Sequence, residues 1–418
     1  MRVMERCAAY TAARECQAAG LYPYFQPIER SDDAEVVIRG ERKVMAGSNN
    51  YLGLTHHPLV LERARQALAR YGSGCTGSPL LNGTLDLHVE LEDRLARLVG
   101  TEAALVHSTG YQANLSVVST LLRRGDHLYM DRLNHASLVD GGGLSGASVH
   151  RYPHADLATL DRQLANAPAD APKLIATDGV FSMEGDIADL PGLAAAAERH
   201  GADLLVDDAH ALGVLGARGG GTAQHFGMEG KVSITVATFS KSFASIGGMV
   251  AGPESVLHFL RHHARPFIFS ASMPPSSVAT VLAALEVMEA EPERREALWR
   301  NTRETRAGLV AMGFDVGRSE TPVIPVVIGE MLETFAFWKA LFEVGVFTNP
   351  VTPPAVPPGE CRLRVSLMAT HTREHVERIL DGFDRVRRMF AAMGNGAAAN
   401  GNGAVPHHAG GARVHQAV

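Results

Sequence analysis

The sequence has few cysteines and tryptophans and no excess of basic residues. Among 418 residues there are two tryptophans and four cysteines, the latter at positions 7, 16, 75 and 361. Four scattered cysteines without a CxxC pair predict neither a disulfide framework nor a metal site, and free thiols are typical of a reducing cytosol. Lys and Arg total 39 and Asp and Glu total 45, which gives a formal net charge of −6. This balance argues against nucleic acid as the main partner.

Long hydrophobic runs are also missing. Nowhere do about 18 apolar residues follow one another, so no membrane-spanning helix is predicted. The first twenty residues contain no apolar segment long enough for a signal peptide. With 46% hydrophobic and 20% charged residues, the composition is that of a globular protein. We therefore expect a cytoplasmic enzyme; peripheral contact with the inner membrane face stays open, although no basic amphipathic helix is evident.

The pattern along the chain divides it into four regions. Residues 1–49 combine a helical stretch with a hairpin, and residues 50–290 alternate short apolar strands with helices. Such alternation predicts an α/β domain with a mainly parallel sheet, in which ligands bind at the carboxyl ends of the strands. Residues 291–393 predict a smaller α+β domain, entered through a long charged helix bent at Pro292. Residues 394–418 are rich in Gly, Ala and Asn without periodicity, which predicts a disordered tail.

The most informative stretch is VSITVATFSKSFASIGG, in which a strand ends at Thr238 and Ser240 and Lys241 follows at once. A lysine directly after a buried strand is unusual, because burial disfavours its charge. A lysine with a lowered pKa can act as a Schiff-base amine. The two hydroxyls are suited to a phosphate, although a solvated loop lysine among turn residues is the plainer alternative.

A second stretch, DLLVDDAHALGVLG, ends a strand with two carboxylates. Side chains alternate faces along a strand, so Asp207 and Asp208 point opposite ways and only one can face a ligand. We assign that position to Asp207, three residues before His210, where a carboxylate would suit a cationic ring nitrogen. The alternative for either aspartate is a helix N-cap.

Two further stretches follow strands. In HSTGYQANLSVVSTLL, Gly110 and Tyr111 lie where a strand gives way to a helix, whose free N–H groups and dipole suit phosphate or a simple cap. In DRLNHASLVDG, His135 follows a strand and could stack on a planar ligand, although a lone histidine is more often structural. Lysine, aspartate, hydroxyls and a helix N-terminus together are what pyridoxal 5′-phosphate (PLP) requires.

The motifs STGYQAN, NHASLVDG, DGVFSMEGD, VDDAHALGVLG, TFSKS and RPFIFSASMPP together resemble those of the α-oxoamine synthase family, over about residues 20 to 390. The resemblance implies a fold-type I PLP-dependent transferase that acts as a homodimer. It also implies condensation of an amino acid with an acyl thioester, carried by coenzyme A or acyl carrier protein, with release of CO₂. Serine and a long saturated acyl chain are the expected substrates, and alanine or glycine remain alternatives. An aminotransferase and a catalytically idle subunit are the rivals.

The resemblance also assigns roles to individual residues. Lys241 matches the Schiff-base lysine, Asp207 the partner of the ring nitrogen, His210 the histidine near the 3′ oxygen and His135 the histidine stacked on the ring. The remaining matches are Gly110, Tyr111, Ser182, Thr238 and Ser240 at the cofactor, Ser270 reaching the phosphate from the second subunit, and Asn50 and Arg364 near the substrate carboxylate. Pro79, Thr352 and Asn49 differ from the pattern of related members.

Overall fold

The computed structural model describes residues 2–399, so most of the predicted tail, residues 400–418, lies outside the described part of the chain. The helices are α1 (Val3–Ala8), α2 (Ala12–Ala18), α3 (Pro58–Tyr71), α4 (Asp86–Val99), α5 (Gly110–Leu121), α6 (Ala136–Ser145), α7 (Leu157–Ala165), α8 (Leu190–His200), α9 (Thr222–His225), α10 (Glu254–His263), α11 (Arg265–Ile268), α12 (Pro275–Ala290), α13 (Glu293–Ala311), α14 (Met331–Glu343) and α15 (Arg373–Ala399). The strands are β1 (Arg30–Asp32), β2 (Glu35–Ile38), β3 (Glu41–Met45), β4 (Ala103–His107), β5 (His127–Asp131), β6 (Ser148–Tyr152), β7 (Lys173–Asp178), β8 (Asp203–Asp207), β9 (Ile234–Thr238), β10 (Gly248–Gly252), β11 (Val323–Gly329), β12 (Val346–Phe347), β13 (Asn349–Val351) and β14 (Cys361–Ser366).

The largest sheet has seven strands in the order β4-β10-β9-β8-β7-β5-β6. The pairs β6–β5, β5–β7, β7–β8 and β8–β9 are parallel. Only β10 runs the other way, because it is antiparallel to both β4 and β9. The predicted mainly parallel α/β sheet is therefore confirmed, with β10 as an exception that the local pattern did not reveal.

Helices cover both faces of this sheet, as the nearly continuous apolar strands require. Along β4, Leu105 packs into a core with Val117 of α5. The next residue, Val106, belongs to a separate core with Leu91 of α4 and Val281 of α12. Successive side chains enter cores on opposite faces of the sheet, because side chains alternate along a strand with a period of two residues. Helices cover both faces, so the edge formed by the strand ends stays accessible.

The C-terminal part is built around two smaller sheets, β11-β14-β13 and β1-β2-β3-β12. Its core includes Leu298 of α13, Phe337 of α14 and Phe383 of α15. Strand β12 pairs in parallel with β3, so the N-terminal hairpin is completed by the C-terminal part. The hairpin predicted for residues 1–49 is thus formed, but it shares a sheet with a strand 300 residues further along the chain.

Two helix predictions needed correction. The long charged helix is two helices rather than one bent helix, since α12 ends at Ala290 and α13 starts at Glu293 after Pro292. Pro292 cannot donate a backbone hydrogen bond to continue α12, and this breaks the helix. The last helix, α15, runs to Ala399, six residues into the region predicted to be tail. No helix among residues 2–399 has both the length and the apolar character needed to cross a bilayer.

Candidate active site

The predicted site residues come from the carboxyl ends of neighbouring strands. Asp207 is the last residue of β8 and Thr238 the last of β9. His135 is the N-cap of α6, a few residues after β5, and Gly110 is the first residue of α5, after β4. Because parallel strands end at the same edge of a sheet, these distant residues meet there.

One cavity of about 290 Å³ lies at this edge. Nine of the twelve predicted residues line it: Gly110, Tyr111, His135, Ser182, Asp207, His210, Thr238, Ser240 and Lys241. The other lining residues are Thr109, Asn114, Ser137, Asp178, Val180, Ala209, Ile246 and Gly247. The cavity therefore gathers almost all of the chemistry that the sequence motifs carry.

One end of the cavity is suited to an anion. Thr109 caps α5 by accepting a hydrogen bond from the Gln112 N–H, at 3.1 Å, and the first backbone N–H groups of the helix have no partner within it. The hydroxyls of Thr238 and Ser240 lie 2.9 Å apart at the same end. A Cβ on Gly110 would lie 2.7 Å from that of Thr238, so only glycine lets α5 start this close to β9.

The two adjacent aspartates have opposite surroundings. Asp207 lines the cavity, and its carboxylate accepts hydrogen bonds from Asn114 Nδ2 at 2.6 Å and from the Ala209 N–H at 2.9 Å. Asp208 points away and accepts from the N–H and hydroxyl of Thr222, at 2.9 and 2.5 Å. Burial raises the pKa of Asp208 to about 7. The geometry thus separates a carboxylate that faces the cavity from one that holds the start of α9.

Lys241 is the only lysine that lines the cavity. Removal from water lowers its pKa to about 8, although nearby Asp207 opposes that shift. A larger fraction of this amine is therefore uncharged near neutral pH than of an exposed lysine, as an attack on an aldehyde requires.

His210 connects the cavity to the C-terminal part. It is buried, and its Nδ1 lies 2.7 Å from the Tyr51 hydroxyl. Burial first, and then the positive charges of Lys241 and Arg364, hold the pKa of His210 well below its ordinary value. Arg364 Nη2 in turn donates to the Tyr51 hydroxyl at 3.5 Å. A neutral histidine thus lies between the cavity and a buried guanidinium.

Arg364 lies behind the cavity rather than in its wall. Its guanidinium donates to the carbonyl oxygen of Ser182 at 2.6 Å and to Asn49 Oδ1 at 2.9 Å. The Ser366 and Tyr51 hydroxyls complete the hydrogen bonds recorded for it, and none of these partners is a carboxylate. A buried arginine held only by neutral groups is suited to an anionic ligand.

The structure does not place Asn50 and Ser270 in the cavity wall. Asn50 donates to Asp33 and Thr55, at 2.7 and 3.0 Å, and accepts from the Leu54 N–H, so its side chain serves the loop after β3. Its neighbour Asn49 is the one that contacts Arg364. The assignment of Asn50 to the substrate carboxylate stays a prediction.

Ser270 contacts its own chain beside the anion end of the cavity, where its hydroxyl accepts a hydrogen bond from Gln112 Nε2 at 3.0 Å. The neighbouring Ala271 accepts from the Ser108 hydroxyl. Thr352, one of the departures from the family pattern, lies 3.2 Å from the Tyr24 hydroxyl.

Four polar residues of the cavity were not among the predicted site residues, namely Thr109, Asn114, Ser137 and Asp178. Each lies inside a motif that was singled out, and Asn114 is one helical turn after Gly110. That spacing was the available signal, because residues four apart share a helix face. Burial first, and then the charge of Asp207, raise the pKa of Asp178 well above its usual range, which favours its neutral form.

Comparison with known proteins connects this geometry to a family. The model of the family Aminotransferase class I and II matches residues 41–383. The serine palmitoyltransferase of Sphingobacterium spiritivorum is 48% identical over 92% of this chain and 96% of its own. The 8-amino-7-oxononanoate synthase of Symbiobacterium thermophilum is 42% identical over 90% of this chain and 96% of its own. A high-resolution structure of SPT with PLP superimposes with a TM-score of 0.91 at 36% identity, over 94% of this chain and 100% of the other.

The cavity fits PLP on its own terms. It offers a lysine with a lowered pKa, a carboxylate that faces the same space and a helix N-terminus with two hydroxyls for the phosphate. The fold, the cavity and the similar proteins all agree with the family that the sequence motifs indicate. The chain belongs to the α-oxoamine synthase family of PLP-dependent enzymes, within the aminotransferase class I and II family.

Proposed function

We propose that this chain condenses L-serine with a long-chain acyl thioester of the palmitoyl-coenzyme A type. The product is 3-ketosphinganine, the first intermediate of sphingolipid synthesis, and the reaction is that of a serine palmitoyltransferase. One observation carries the proposal. A lysine and a carboxylate suited to PLP share a cavity, and the buried Arg364 behind it has no carboxylate among its hydrogen-bond partners in residues 2–399. An amino-acid substrate supplies the missing carboxylate.

The reaction has a simple balance. The serine Cα–H bond breaks, Cα bonds to the acyl carbon and the thiolate leaves; the carboxylate then leaves as CO₂, and a proton returns to Cα in its place. Bound PLP supplies a ring that accepts the negative charge left at Cα. The protein must therefore hold the ring, move a proton away from Cα and back to it, and orient one carboxylate.

Lys241 and Asp207 handle the protons. Lys241 Nζ would hold the cofactor through its aldehyde, and this amine, with a pKa of about 8, is well matched to accept the Cα proton of the substrate at neutral pH. Asp207, whose carboxylate is fixed by Asn114 and the Ala209 N–H, would keep the ring nitrogen protonated. The anion end at Gly110, Thr238 and Ser240 would hold the phosphate.

Orientation of the substrate falls to the opposite side. The Arg364 guanidinium, held by Asn49, would attract the serine carboxylate, and His135 in the cavity wall would add a hydrogen bond to it. His210, neutral and held by Tyr51, would be available to the 3′ oxygen of the cofactor. Fixed contacts of this kind lower the barrier by keeping the breaking bond aligned with the ring.

We also propose that the enzyme is a cytoplasmic homodimer. Large apolar side chains are exposed around the segment that carries Ser270, since Phe269 is 75% and Leu81 81% exposed. A second copy of the chain would cover them and would bring its own Ser270 to the phosphate. The acyl carrier is coenzyme A or acyl carrier protein, and the long-chain product leaves towards lipid.

The test is a screen of substrates scored by free thiol and CO₂. L-serine with palmitoyl-coenzyme A should release both, faster than alanine or glycine with the same thioester. A site that hydrogen-bonds the serine hydroxyl discriminates strongly against the analogue without it. Preference for alanine with a short or dicarboxylic acyl group would favour an 8-amino-7-oxononanoate synthase. Amino-group transfer to a keto acid without thiol release would favour an aminotransferase.

A further inference from the structure

His135 has an unusual second task, because its ring caps a helix. The Ser137 N–H at the start of α6 donates to His135 Nδ1 at 3.3 Å, so a ring nitrogen takes the place of the usual capping oxygen. A backbone N–H can only donate, and Nδ1 must therefore be the unprotonated nitrogen. In the neutral ring the proton is then on Nε2.

The Ser137 side chain reinforces this assignment. Its hydroxyl lies 2.7 Å from the same Nδ1 and receives a hydrogen bond from Asn114 Nδ2 at 2.9 Å. With Asn114 donating to the hydroxyl oxygen, the Ser137 O–H is directed at Nδ1. Both contacts to Nδ1 thus come from hydrogen-bond donors. A proton on Nδ1 would point at the hydrogens of the Ser137 N–H and O–H groups.

The row of hydrogen bonds ends on Asp207. Asn114 Nδ2 donates one hydrogen to Ser137 and the other to the Asp207 carboxylate, at 2.6 Å. The reverse orientation of the amide would set its oxygen against that carboxylate, so the ionised aspartate determines the direction of the whole row. Asn114 and Ser137 are both buried, which keeps water from competing for these bonds.

We propose that Ser137 and Asn114 are positioning residues that lock His135 as the Nε2–H tautomer, so that its free N–H donates to the carboxylate of the amino-acid substrate. The inference rests on the proposed function for the identity of that carboxylate. It adds that the carboxylate at the ring nitrogen and the histidine over the ring are oriented by one shared amide. The chain needs Ser137 for selectivity towards substrates that carry a carboxylate.

The first test uses two ligands that differ by that group, L-serine and ethanolamine, titrated into the holoenzyme and followed by the cofactor absorbance. Ser137→Ala should weaken L-serine binding about 5- to 10-fold and leave ethanolamine within about twofold, the effect of one hydrogen bond. Asn114→Ala should lower the same serine-to-ethanolamine affinity ratio, even if it weakens both ligands. Ser116→Ala is the matched control, because Ser116 is a buried serine of α5 whose hydroxyl has no partner. An unchanged ratio in Ser137→Ala would overturn the inference.

The second test reads the tautomer directly and needs no turnover. In full-length protein with ¹⁵N-labelled histidine, with and without PLP, the His135 signals are those that vanish in His135→Gln. Their ¹⁵N shifts should report Nε2–H in the wild type and in Ser116→Ala, and a mixture of tautomers in Ser137→Ala. A wild-type Nδ1–H ring would sink the inference whatever the enzyme's substrate. Failure to release thiol from serine and palmitoyl-coenzyme A would instead refute the proposed function and leave the tautomer result standing.

Discussion

Two neighbouring aspartates at the end of β8 carry out different tasks because a strand turns successive side chains to opposite faces. Asp207 faces the cavity and is fixed by Asn114 and a backbone N–H. Asp208 is buried behind the strand, where it accepts two hydrogen bonds from Thr222. The same chemical group thereby lines the proposed cofactor cavity in one position and is a structural anchor in the next.

This difference can be measured with a matched pair of substitutions. Asp207→Asn should keep some bound PLP but lower kcat by about 100-fold or more, because an amide cannot hold a proton on the ring nitrogen. Asp208→Asn should leave kcat nearly unchanged and cost about 1–3 kcal/mol of unfolding free energy, since one hydrogen-bond acceptor becomes a donor. Steady-state thiol release and urea unfolding separate the two effects. A fully active Asp207→Asn enzyme would refute the role of Asp207 at the ring nitrogen.

The motifs predicted most of the site at the level of single residues. Lys241, Asp207 and Thr238 follow strands, and the edge of a parallel sheet brings such residues together wherever they lie in the chain. Only the resemblance separated Asn50 from Asn49 in the sequence, because the two are adjacent in a loop without periodicity. Only the fold shows that Asn50 holds the loop and that Asn49 reaches Arg364.

At the scale of elements, a histidine with two carboxylates joins three strand ends. His154, after β6, lies 3.1 Å from Asp131 at the end of β5 and 2.8 Å from Asp186 in the loop after β7. That loop also carries Ser182, whose carbonyl oxygen holds Arg364. Although burial opposes it, hydrogen bonding to both carboxylates raises the pKa of His154 to about 10.

The raised pKa has a consequence for stability. A group whose folded pKa exceeds its unfolded value, here about 10 against an ordinary 6.5, stabilises the fold fully below pH 6.5 and loses that effect as pH rises through about 10. Replacement of the ring by His154→Gln should cost about 1–3 kcal/mol at pH 6, where the charged pair is broken, and much less above pH 10. Urea unfolding of both proteins across this range measures the difference. A pH-independent difference would contradict the ionic role.

The strands themselves were predicted better than the pairing between them. Six strands of the large sheet have a short apolar run that signals them locally, whereas β6 has none and was missed. Pairing depends on residues far away. The antiparallel course of β10 and the pairing of β3 with β12 therefore could not be predicted from pattern. The break between α12 and α13 could have been predicted from Pro292, because a proline in a helix interior removes a backbone hydrogen bond and interrupts the helix.

At the scale of the molecule, an exposed apolar surface near the site is the feature on which the proposed dimer rests. Phe269 immediately precedes Ser270, and Leu81 belongs to a loop in which Gly77 accepts a hydrogen bond from the Ser272 N–H. The two exposed side chains therefore lie on loops that touch each other. Side chains of this size are seldom left in water together unless an interface covers them.

A charge placed in this surface should weaken the dimer. Leu81→Glu is expected to shift the enzyme towards monomer in sedimentation and to lose activity in parallel, because each site would lack the partner's Ser270. Leu332→Glu is the control, since Leu332 is also exposed, at 59%, but lies at the start of α14 in the C-terminal part. A Leu81→Glu enzyme that sediments as an active monomer would refute shared sites.

Strand β10, which is antiparallel to its neighbours in the large sheet, affects the order in which that sheet forms during synthesis. Strand β4 joins the large sheet only through β10, where His107 pairs with Gly248, 141 residues later. On the ribosome, β4 is thus made early but has no neighbour in the large sheet until β10 has emerged. By then Asp207 and Lys241 have already left the exit tunnel, so β4 and β10 are the last strands to join this sheet, and Arg364 of β14 follows later. We therefore expect a nascent chain to bind PLP only after the whole α/β domain has been synthesised.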